Sequence, residues 1–328
     1  MVISKTPLRM SFFGGGTDFK GYYENSKFGY GSTISTAVDM YLYITVNKRM
    51  DDKIRLVYQE GELVDNVDDI KHNIIRNALK IVGIEKGVEI IYTADLPIAG
   101  VGIGMASSSA MSVGLLNALH AFKGHYASAE QLAREACRLE IEMMGQPIGI
   151  QDQYAVAYGG FNVYKFNRND TVSVEPVICQ KEVLSKLKNN LMLFFTGITR
   201  DSGTILGEQK KNVDDKTKQL DKLVLAVDEA YDALQKGNVD HWGDMLDETW
   251  KTKKQLASKI ANGEIDDMYD AAINAGAKGG KILGAGGGGF LLLYVPDDRK
   301  NEVRNALRNY KEVEFDFASN GSQIIFMD

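Results

Sequence analysis

The sequence predicts an α+β protein with two domains. Strand and helix patterns both occur along its 328 residues, but they do not alternate in the regular order of a doubly wound parallel sheet. After about residue 265 the predicted order is helix, glycine turn, strand, helix, strand, strand. The length suits two ordinary hydrophobic cores, and we expect domains at 1–180 and 181–328, although no flexible linker marks the boundary.

Short apolar segments rich in β-branched and aromatic residues predict the strands. They lie at 8–13, 38–46, 88–93, 161–166, 191–196 and 290–295. Segments with one apolar face at helical spacing predict helices from 107, over 128–144, twice between 205 and 260, and over 297–309.

Composition and charge narrow the classes of function. The formal net charge of −6 argues against a nucleic-acid-binding protein, which usually carries a basic excess. Two cysteines, Cys137 and Cys179, fit neither a zinc motif nor a disulfide scaffold. No signal-peptide pattern or membrane-length apolar run occurs. We therefore expect a cytoplasmic protein with small-molecule partners, no nucleic acid and no membrane, acting as a monomer or homodimer.

The first glycine-rich segment follows a predicted strand that carries Arg9. The turn Gly14-Gly15-Gly16 leads directly to Thr17 and Asp18. An ordinary hairpin turn with a solvated aspartate explains this pattern as well as a binding loop does.

The second glycine-rich segment ends in three serines at a predicted helix start. Its glycines alternate at positions 100, 102 and 104, and Ala106 precedes Ser107-Ser108-Ser109. Free amides and the positive end of the helix dipole at such a start bind anions, while serine hydroxyls can donate to phosphate or ligate Mg²⁺. A helix cap needs one serine, so three favour a phosphate site.

The third segment, 278–289, contains the letters of a dinucleotide fingerprint. Its glycines precede a predicted strand and do not open a helix, so a nucleotide-binding oxidoreductase is disfavoured. No Gly-Lys-Ser/Thr, His-Arg-Asp or Asp-Phe-Gly sequence occurs, which excludes a Walker P-loop and a protein kinase. The segment indicates only a close approach of the backbone to another group.

Two acidic positions have the chemistry that phosphoryl transfer needs. Glu140 lies at the end of a predicted helix, and Asp152 lies in a loop of apolar and amide residues. Such a transfer requires a metal to bridge phosphates and a carboxylate near the attacking hydroxyl. A solvated helix end is the ordinary explanation of Glu140.

The order of these four segments resembles the GHMP kinases, the superfamily of galactokinase, homoserine kinase and mevalonate kinase. The resemblance covers nearly the whole chain. It implies a ribosomal S5 domain 2-like N-terminal domain, a ferredoxin-like C-terminal domain, and the use of ATP and Mg²⁺.

The resemblance also implies roles for individual residues. Asp152 matches the catalytic aspartate and Arg9 its basic partner. The phosphate loop corresponds to Gly102, Gly104, Ala106, Ser107, Ser108 and Ser109. The metal ligands correspond to Ser108, Ser109 and Glu140. The substrate contacts correspond to Gly15, Gly16, Thr17, Asp18, Gly286 and Gly287.

A phosphorylated sugar would also need cationic partners for its phosphate. Arg200, after a predicted strand end, is the first candidate, and Lys20 and Lys210 are weaker ones. A solvated surface charge is the alternative explanation of each.

Within the superfamily the sequence is most similar to the D-glycero-D-manno-heptose 7-phosphate kinases. The features are the triple glycine before Thr17-Asp18, Pro147-Ile148-Gly149 and the segment Thr196-Gly197-Ile198-Thr199-Arg200. This similarity implies phosphorylation of the anomeric hydroxyl to give a heptose 1,7-bisphosphate. Open alternatives are another anomeric sugar kinase (for fucose, galactose, glucuronate or an N-acetylhexosamine) and a non-catalytic sugar- or ATP-binding regulator.

Overall fold

A computed structural model describes residues 1–58, 60–96, 103–198 and 202–328. The strands are β1 (Val2–Phe13), β2 (Tyr30–Lys48), β3 (Ile54–Val57), β4 (Glu62–Val64), β5 (Val88–Ala94), β6 (Phe161–Asn167), β7 (Val172–Pro176), β8 (Leu191–Phe195), β9 (Gly279–Ile282), β10 (Phe290–Tyr294), β11 (Lys311–Glu312), β12 (Phe317–Ala318) and β13 (Gln323–Met327).

Helices connect these strands. They are α1 (Lys20–Tyr23), α2 (Asn73–Val82), α3 (Ser107–Phe122), α4 (Ala129–Cys137), α5 (Gln151–Tyr158), α6 (Lys181–Asn189), α7 (Ser202–Lys211), α8 (Thr217–Gln235), α9 (His241–Lys253), α10 (Gly263–Asn274) and α11 (Lys300–Ala306). A π-helical segment (Arg138–Met143) continues α4, and 3₁₀ turns lie at Val67–Asp69 and Asp297–Arg299.

The described strands form two sheets. The first sheet has the order β13-β1-β2-β5-β3-β4, with β12 and β6 also on β2 and β7 on β6. The second sheet has the order β11-β8-β10-β9. Every described pairing is antiparallel except that of β3 with β5. The predicted α+β class is confirmed, because helices and mainly antiparallel strands share the chain.

The predicted division of the chain at residue 180 remains a prediction. The last two strands fall in the predicted segment 181–328 but pair with the first sheet, β12 on β2 and β13 on β1. The second sheet is thus built from β8 to β11, and the chain returns to the first sheet to finish.

Buried aromatic side chains join the two sheets beside the first glycine turn. Trp242 of α9 is fully buried, and its ring centroid lies 5.1 Å from those of both Phe12 and Phe13 at the end of β1. Such edge-to-face pairs contribute about 0.5–1.5 kcal/mol each beyond their buried area. The end of β1 is therefore held against α9.

Candidate active site

The predicted catalytic pair is in contact. Arg9 of β1 donates from Nε (2.9 Å) and Nη2 (2.6 Å) to the same oxygen, Oδ1, of Asp152 in the first turn of α5. Arg9 is 2% exposed, whereas the Asp152 side chain is 28% exposed. Both bonds fall on Oδ1, and Oδ2 accepts no hydrogen bond from the described residues.

The phosphate loop reaches the same point. Arg9 Nη1 donates to the carbonyl oxygen of Gly104 at 2.7 Å, and the backbone amide of Arg9 donates to Met105. Ser107, Ser108 and Ser109 form the first turn of α3, as predicted. The free amides and dipole of this 16-residue helix therefore open beside the catalytic pair. Gly102 lies outside the described residues.

Ala106 sits in the left-handed conformation at the start of α3. Its φ is 62° and its ψ is 32°, a region that costs a residue with a side chain on the order of 1–2 kcal/mol. The strain is a local cost of turning the chain into α3 at this point.

Glu140 forms the acidic centre of a buried oxygen cluster. Its carboxylate is fully buried and accepts from the hydroxyls of Ser108 and Ser109 (2.9 Å for Ser109) and from Gln153 Nε2 at 2.6 Å. Burial raises the pKa of Glu140, while these three hydrogen bonds lower it. The carboxylate projects from the π-helical segment, a backbone irregularity frequent at functional sites.

The atoms around Glu140 suit a hard divalent cation. Gln153 Oε1 is buried and has no hydrogen-bond partner among the described residues, which leaves an oxygen available beside the carboxylate. Carboxylate, hydroxyl and amide oxygens are the ligands that Mg²⁺ prefers. The set Glu140, Ser108, Ser109 and Gln153 therefore fits Mg²⁺, and Gln153 is a member that the sequence did not point to.

The third glycine segment packs directly on the phosphate loop. A Cβ atom added to Gly104 would lie 2.3 Å from Leu283 O, and one added to Gly284 would lie 2.6 Å from Gly104 Cα. Only glycine permits this backbone contact. Gly286 and Gly287 instead pack on Ile260, whose carbonyl oxygen accepts from the Gly287 amide at 2.7 Å. We call the contact between Gly104 and 283–284 the glycine seam.

The first glycine turn is tied to the loop before Asp152 through Asp18. The Asp18 carboxylate is buried and accepts from the amide of Gly16 (3.0 Å) and from the backbone (3.2 Å) and side-chain (3.0 Å) amides of Gln151. Burial, and then the charge of Asp152, raise the pKa of Asp18. Asp18 therefore fixes this loop, and its predicted contact with a sugar hydroxyl stays a prediction.

The other residues of this turn differ in accessibility to a substrate. Thr17 is fully buried, and its hydroxyl bonds to Gly14 O and Ser32 O, both at 2.8 Å. This arrangement favours a structural role for Thr17 over the predicted substrate contact. Gly15 faces the Gln151 side chain and lines a small cavity with two lysines, so its predicted substrate contact remains open.

The cations predicted for the substrate phosphate differ in their surroundings from two lysines that the sequence analysis did not single out. Arg200 lies outside the described residues. Lys20 is exposed and paired with Asp170 at 2.7 Å, and Lys210 is exposed at the end of α7, so both have the surroundings of ordinary surface lysines. Lys253 and Lys281, which the sequence analysis missed, are both buried and line the cavity beside Gly14 and Gly15.

Comparison with known proteins bears on this arrangement. The family model for the GHMP kinases N terminal domain matches residues 71–160, and the model for the GHMP kinases C terminal matches residues 230–313. Together these ranges take in more than half of the chain. The chain belongs to the GHMP kinase family.

This GHMP kinase resembles characterised and solved relatives along its whole length. It is 29% identical to a D-glycero-alpha-D-manno-heptose 7-phosphate kinase of Campylobacter jejuni, over 96% of this chain and 95% of that one. It is 25% identical to a galactokinase of Pyrococcus furiosus, over 93% and 92% of the two chains. A crystal structure of a D-glycero-D-manno-heptose 1-phosphate kinase from Bacteriodes thetaiotaomicron matches all of both chains, with 25% identity and a TM-score of 0.82.

The family membership settles the class of activity and the fold. The protein is a sugar kinase with the two-domain GHMP fold, a phosphotransferase that uses ATP as donor. The predictions of an enzyme, of ATP and of this fold are confirmed, and the alternatives of a regulator and an oxidoreductase are not supported. None of the described helices combines the length and apolar character needed to cross a bilayer.

Proposed function

We propose that this GHMP kinase transfers the γ-phosphoryl group of ATP to the anomeric hydroxyl of a heptose phosphate, D-glycero-D-manno-heptose 7-phosphate above all. The observation that carries the proposal is the Asp152 carboxylate: buried Arg9 holds its Oδ1 beside the serine-tipped start of α3, and its Oδ2 accepts no hydrogen bond from the described residues. The near full-length similarity to a heptose 7-phosphate kinase supports this acceptor.

The proposed chemistry uses positioning and charge neutralisation. The amides and hydroxyls at the start of α3 bind the phosphates of ATP. Asp152 Oδ2 accepts the proton of the anomeric hydroxyl. The hydroxyl oxygen forms a bond to the γ-phosphorus, and the bond from that phosphorus to the bridging oxygen of ADP breaks. Arg9 keeps Asp152 in place and limits the build-up of negative charge around it.

We propose Glu140, Ser108 and Ser109, with Gln153 Oε1, as the residues that would hold Mg²⁺. Bound there, the ion would neutralise the phosphate oxygens and orient them. The protein's own part is to present a rigid oxygen set from α3 and the π-helical segment.

A panel of acceptors tests the proposal. The two heptose kinase relatives differ in the acceptor that their names give, so the panel needs the 7-phosphate and the 1-phosphate of the heptose, the free heptose, and neutral hexoses. We expect ATP-dependent phosphorylation of the 7-phosphate with the highest kcat/KM, and nuclear magnetic resonance should place the new phosphate on carbon 1. Phosphorylation at another carbon would refute the anomeric assignment.

A second candidate is another anomeric sugar kinase, which the similarity to a galactokinase favours. The same panel separates the two. A preference for galactose or fucose over every sugar phosphate would establish this alternative, because the proposed enzyme should require the acceptor's phosphate.

A further inference from the structure

Lys253 is a buried cation with few protein partners. It lies at the end of α9, is 6% exposed, and donates from Nζ to the carbonyl oxygen of Gly284. An ammonium group has three N–H donors, and no other acceptor for it occurs among the described residues. No described carboxylate lies within ion-pair distance of Nζ, whereas its neighbours Lys251 and Lys254 are paired with Asp247 and Asp266.

An unpaired buried ammonium is costly. Removing a charge from water without a counter-ion costs several kcal/mol in real proteins, at the order-of-magnitude level. Lys281 adds to this cost, since it is 5% exposed and its hydrogen bonds to described residues go to the carbonyl oxygens of Ser11 (2.9 Å) and Phe12 (2.8 Å). Among the described residues Lys253 gains one hydrogen bond and the more distant charges of Asp18 and Asp152, and none of these is a direct ion pair. Such groups are frequent where a ligand brings the missing charge.

The position of Lys253 indicates which ligand would bring the missing negative charge. Its acceptor, Gly284, packs on Gly104 in the glycine seam, and Arg9 binds the carbonyl oxygen of Gly104. Arg9 thus approaches the seam from β1 of the first sheet, and Lys253 approaches it from the end of α9. Asp152 lies on the other edge of the Arg9 guanidinium, so this is the point where the phosphate loop meets the carboxylate that addresses the acceptor.

We propose that Lys253 is a further catalytic residue, whose ammonium group binds an oxygen of the γ-phosphoryl group as it moves from ATP to the acceptor. The proposal rests on the kinase activity but on no particular acceptor. Lys253 keeps its protons throughout, and its charge offsets that of the phosphoryl oxygens.

The charged groups around Lys253 are consistent with this role. Burial, and then the charge of Arg9, lower the pKa of Lys253 to about 8, while Asp18 and Asp152 act in the opposite direction. Lys281 faces the same space, and its own pKa is lowered well below the usual range by burial and then by Lys253 and Arg9. In the free enzyme Lys253 is therefore charged at neutral pH and loses its charge under mildly alkaline conditions.

The main test compares Lys253→Met and Lys253→Arg with wild type, and Lys251→Met serves as the matched control because Lys251 is exposed on the same helix. With ATP and the best acceptor of the panel, we expect Lys253→Met to lose about 100-fold or more in turnover. Lys253→Arg should recover to within about tenfold of wild type, and the control should be unchanged. Turnover of Lys253→Met within a factor of about three of wild type would overturn the proposal.

The pH profile and thermal stability separate catalysis from a structural role. For wild type we expect kcat/KM for ATP to fall above about pH 8, and for Lys253→Arg to stay level to about pH 10. Lys253→Met should melt no lower than wild type, because the cost of burying the charge is removed. Two results would contradict the proposal: a fall in the Tm of Lys253→Met that parallels its loss of turnover, or a decrease of kcat/KM at alkaline pH that persists in Lys253→Arg.

Nucleotide binding distinguishes the transferred phosphoryl group from the acceptor's own phosphate. By calorimetry, Lys253→Met should weaken binding of the β,γ-imido analogue of ATP about tenfold and leave ADP nearly unchanged. An effect confined to the KM of a phosphorylated acceptor would assign Lys253 to the acceptor phosphate and overturn the proposal. This measurement needs no acceptor, so it stays informative even if the wild type fails to phosphorylate a heptose phosphate.

Discussion

The two sides of the site treat buried charge in opposite ways. On the side of the first sheet, Arg9 is paired with Asp152, and Glu140 accepts three hydrogen bonds. On the side of the second sheet, the hydrogen bonds of Lys253 and Lys281 to described residues all go to backbone carbonyls. The paired side is organised before any ligand arrives, whereas the unpaired side holds a positive excess that an anion can neutralise.

The largest expected effect on turnover comes from removing the Asp152 carboxylate on the paired side. Asp152→Asn keeps the shape and the acceptor for Arg9 but removes the proton acceptor, so turnover should fall by about 10²–10⁴. Affinity for ATP, measured by calorimetry, should remain close to wild type. Asp232→Asn, at an exposed aspartate, is the control. Undiminished turnover in Asp152→Asn would remove the catalytic assignment.

The next largest effect should come from the glycine seam, which joins the two sides. In Gly104→Ala the new methyl group would overlap Leu283 O at a φ of 79°, so the free energy of unfolding should fall by roughly 2–5 kcal/mol. Gly124→Ala has a φ of 75° with nothing within 4 Å and should cost only about 1–2 kcal/mol. Urea denaturation measures both, and equal losses would show that contact with 283–284 is unimportant.

Removing the acidic centre of the oxygen cluster tests the proposed metal ligands. Glu140→Gln should weaken Mg²⁺ binding about 10–100-fold, seen as a smaller rise in Tm when Mg²⁺ is added to the ADP complex. The exposed neighbour Glu142 provides the control, Glu142→Gln. If both variants respond to Mg²⁺ as wild type does, the ion binds elsewhere.

The smallest effect sharpens the difference between the two lysines. Lys281 binds two carbonyl oxygens at the end of β1, so Lys281→Met should lower the free energy of unfolding by about 1–2 kcal/mol. The decrease of kcat/KM for ATP above about pH 8 should persist in this variant, because Lys253 is retained. Loss of that decrease would transfer the proposed role from Lys253 to Lys281.

The parts of the site carried by short motifs could be predicted from the sequence. Short contiguous segments contain Arg9, Asp152, Glu140 and the serines, and the residue types in these segments indicate their chemistry. The structure brings these residues together. The position of Lys253 was also available in principle. It follows Leu246 by seven residues and Trp250 by three, which places it on the buried face of α9.

Other features depend on tertiary contacts that no local pattern encodes. The predicted helix over 128–144 ends earlier as regular α-helix and continues in π-helical form, which turns Glu140 toward the serines. Strand β9 was not predicted, because Gly279 and Gly280 suggest a loop. They lie in a strand that pairs with β10, and glycine is required there because α9 approaches closely: a Cβ atom on Gly279 would be 2.0 Å from Gly243 O.

Pairing of β1 with β13 has a consequence for biosynthesis. Val2 lies opposite Met327, so one edge of β1 stays open while nearly all of the chain between them is translated. At typical ribosomal speeds this interval lasts on the order of tens of seconds. A nascent chain must protect an unpaired strand edge for that time, which makes this edge a site where chaperones would act and where truncated products would aggregate.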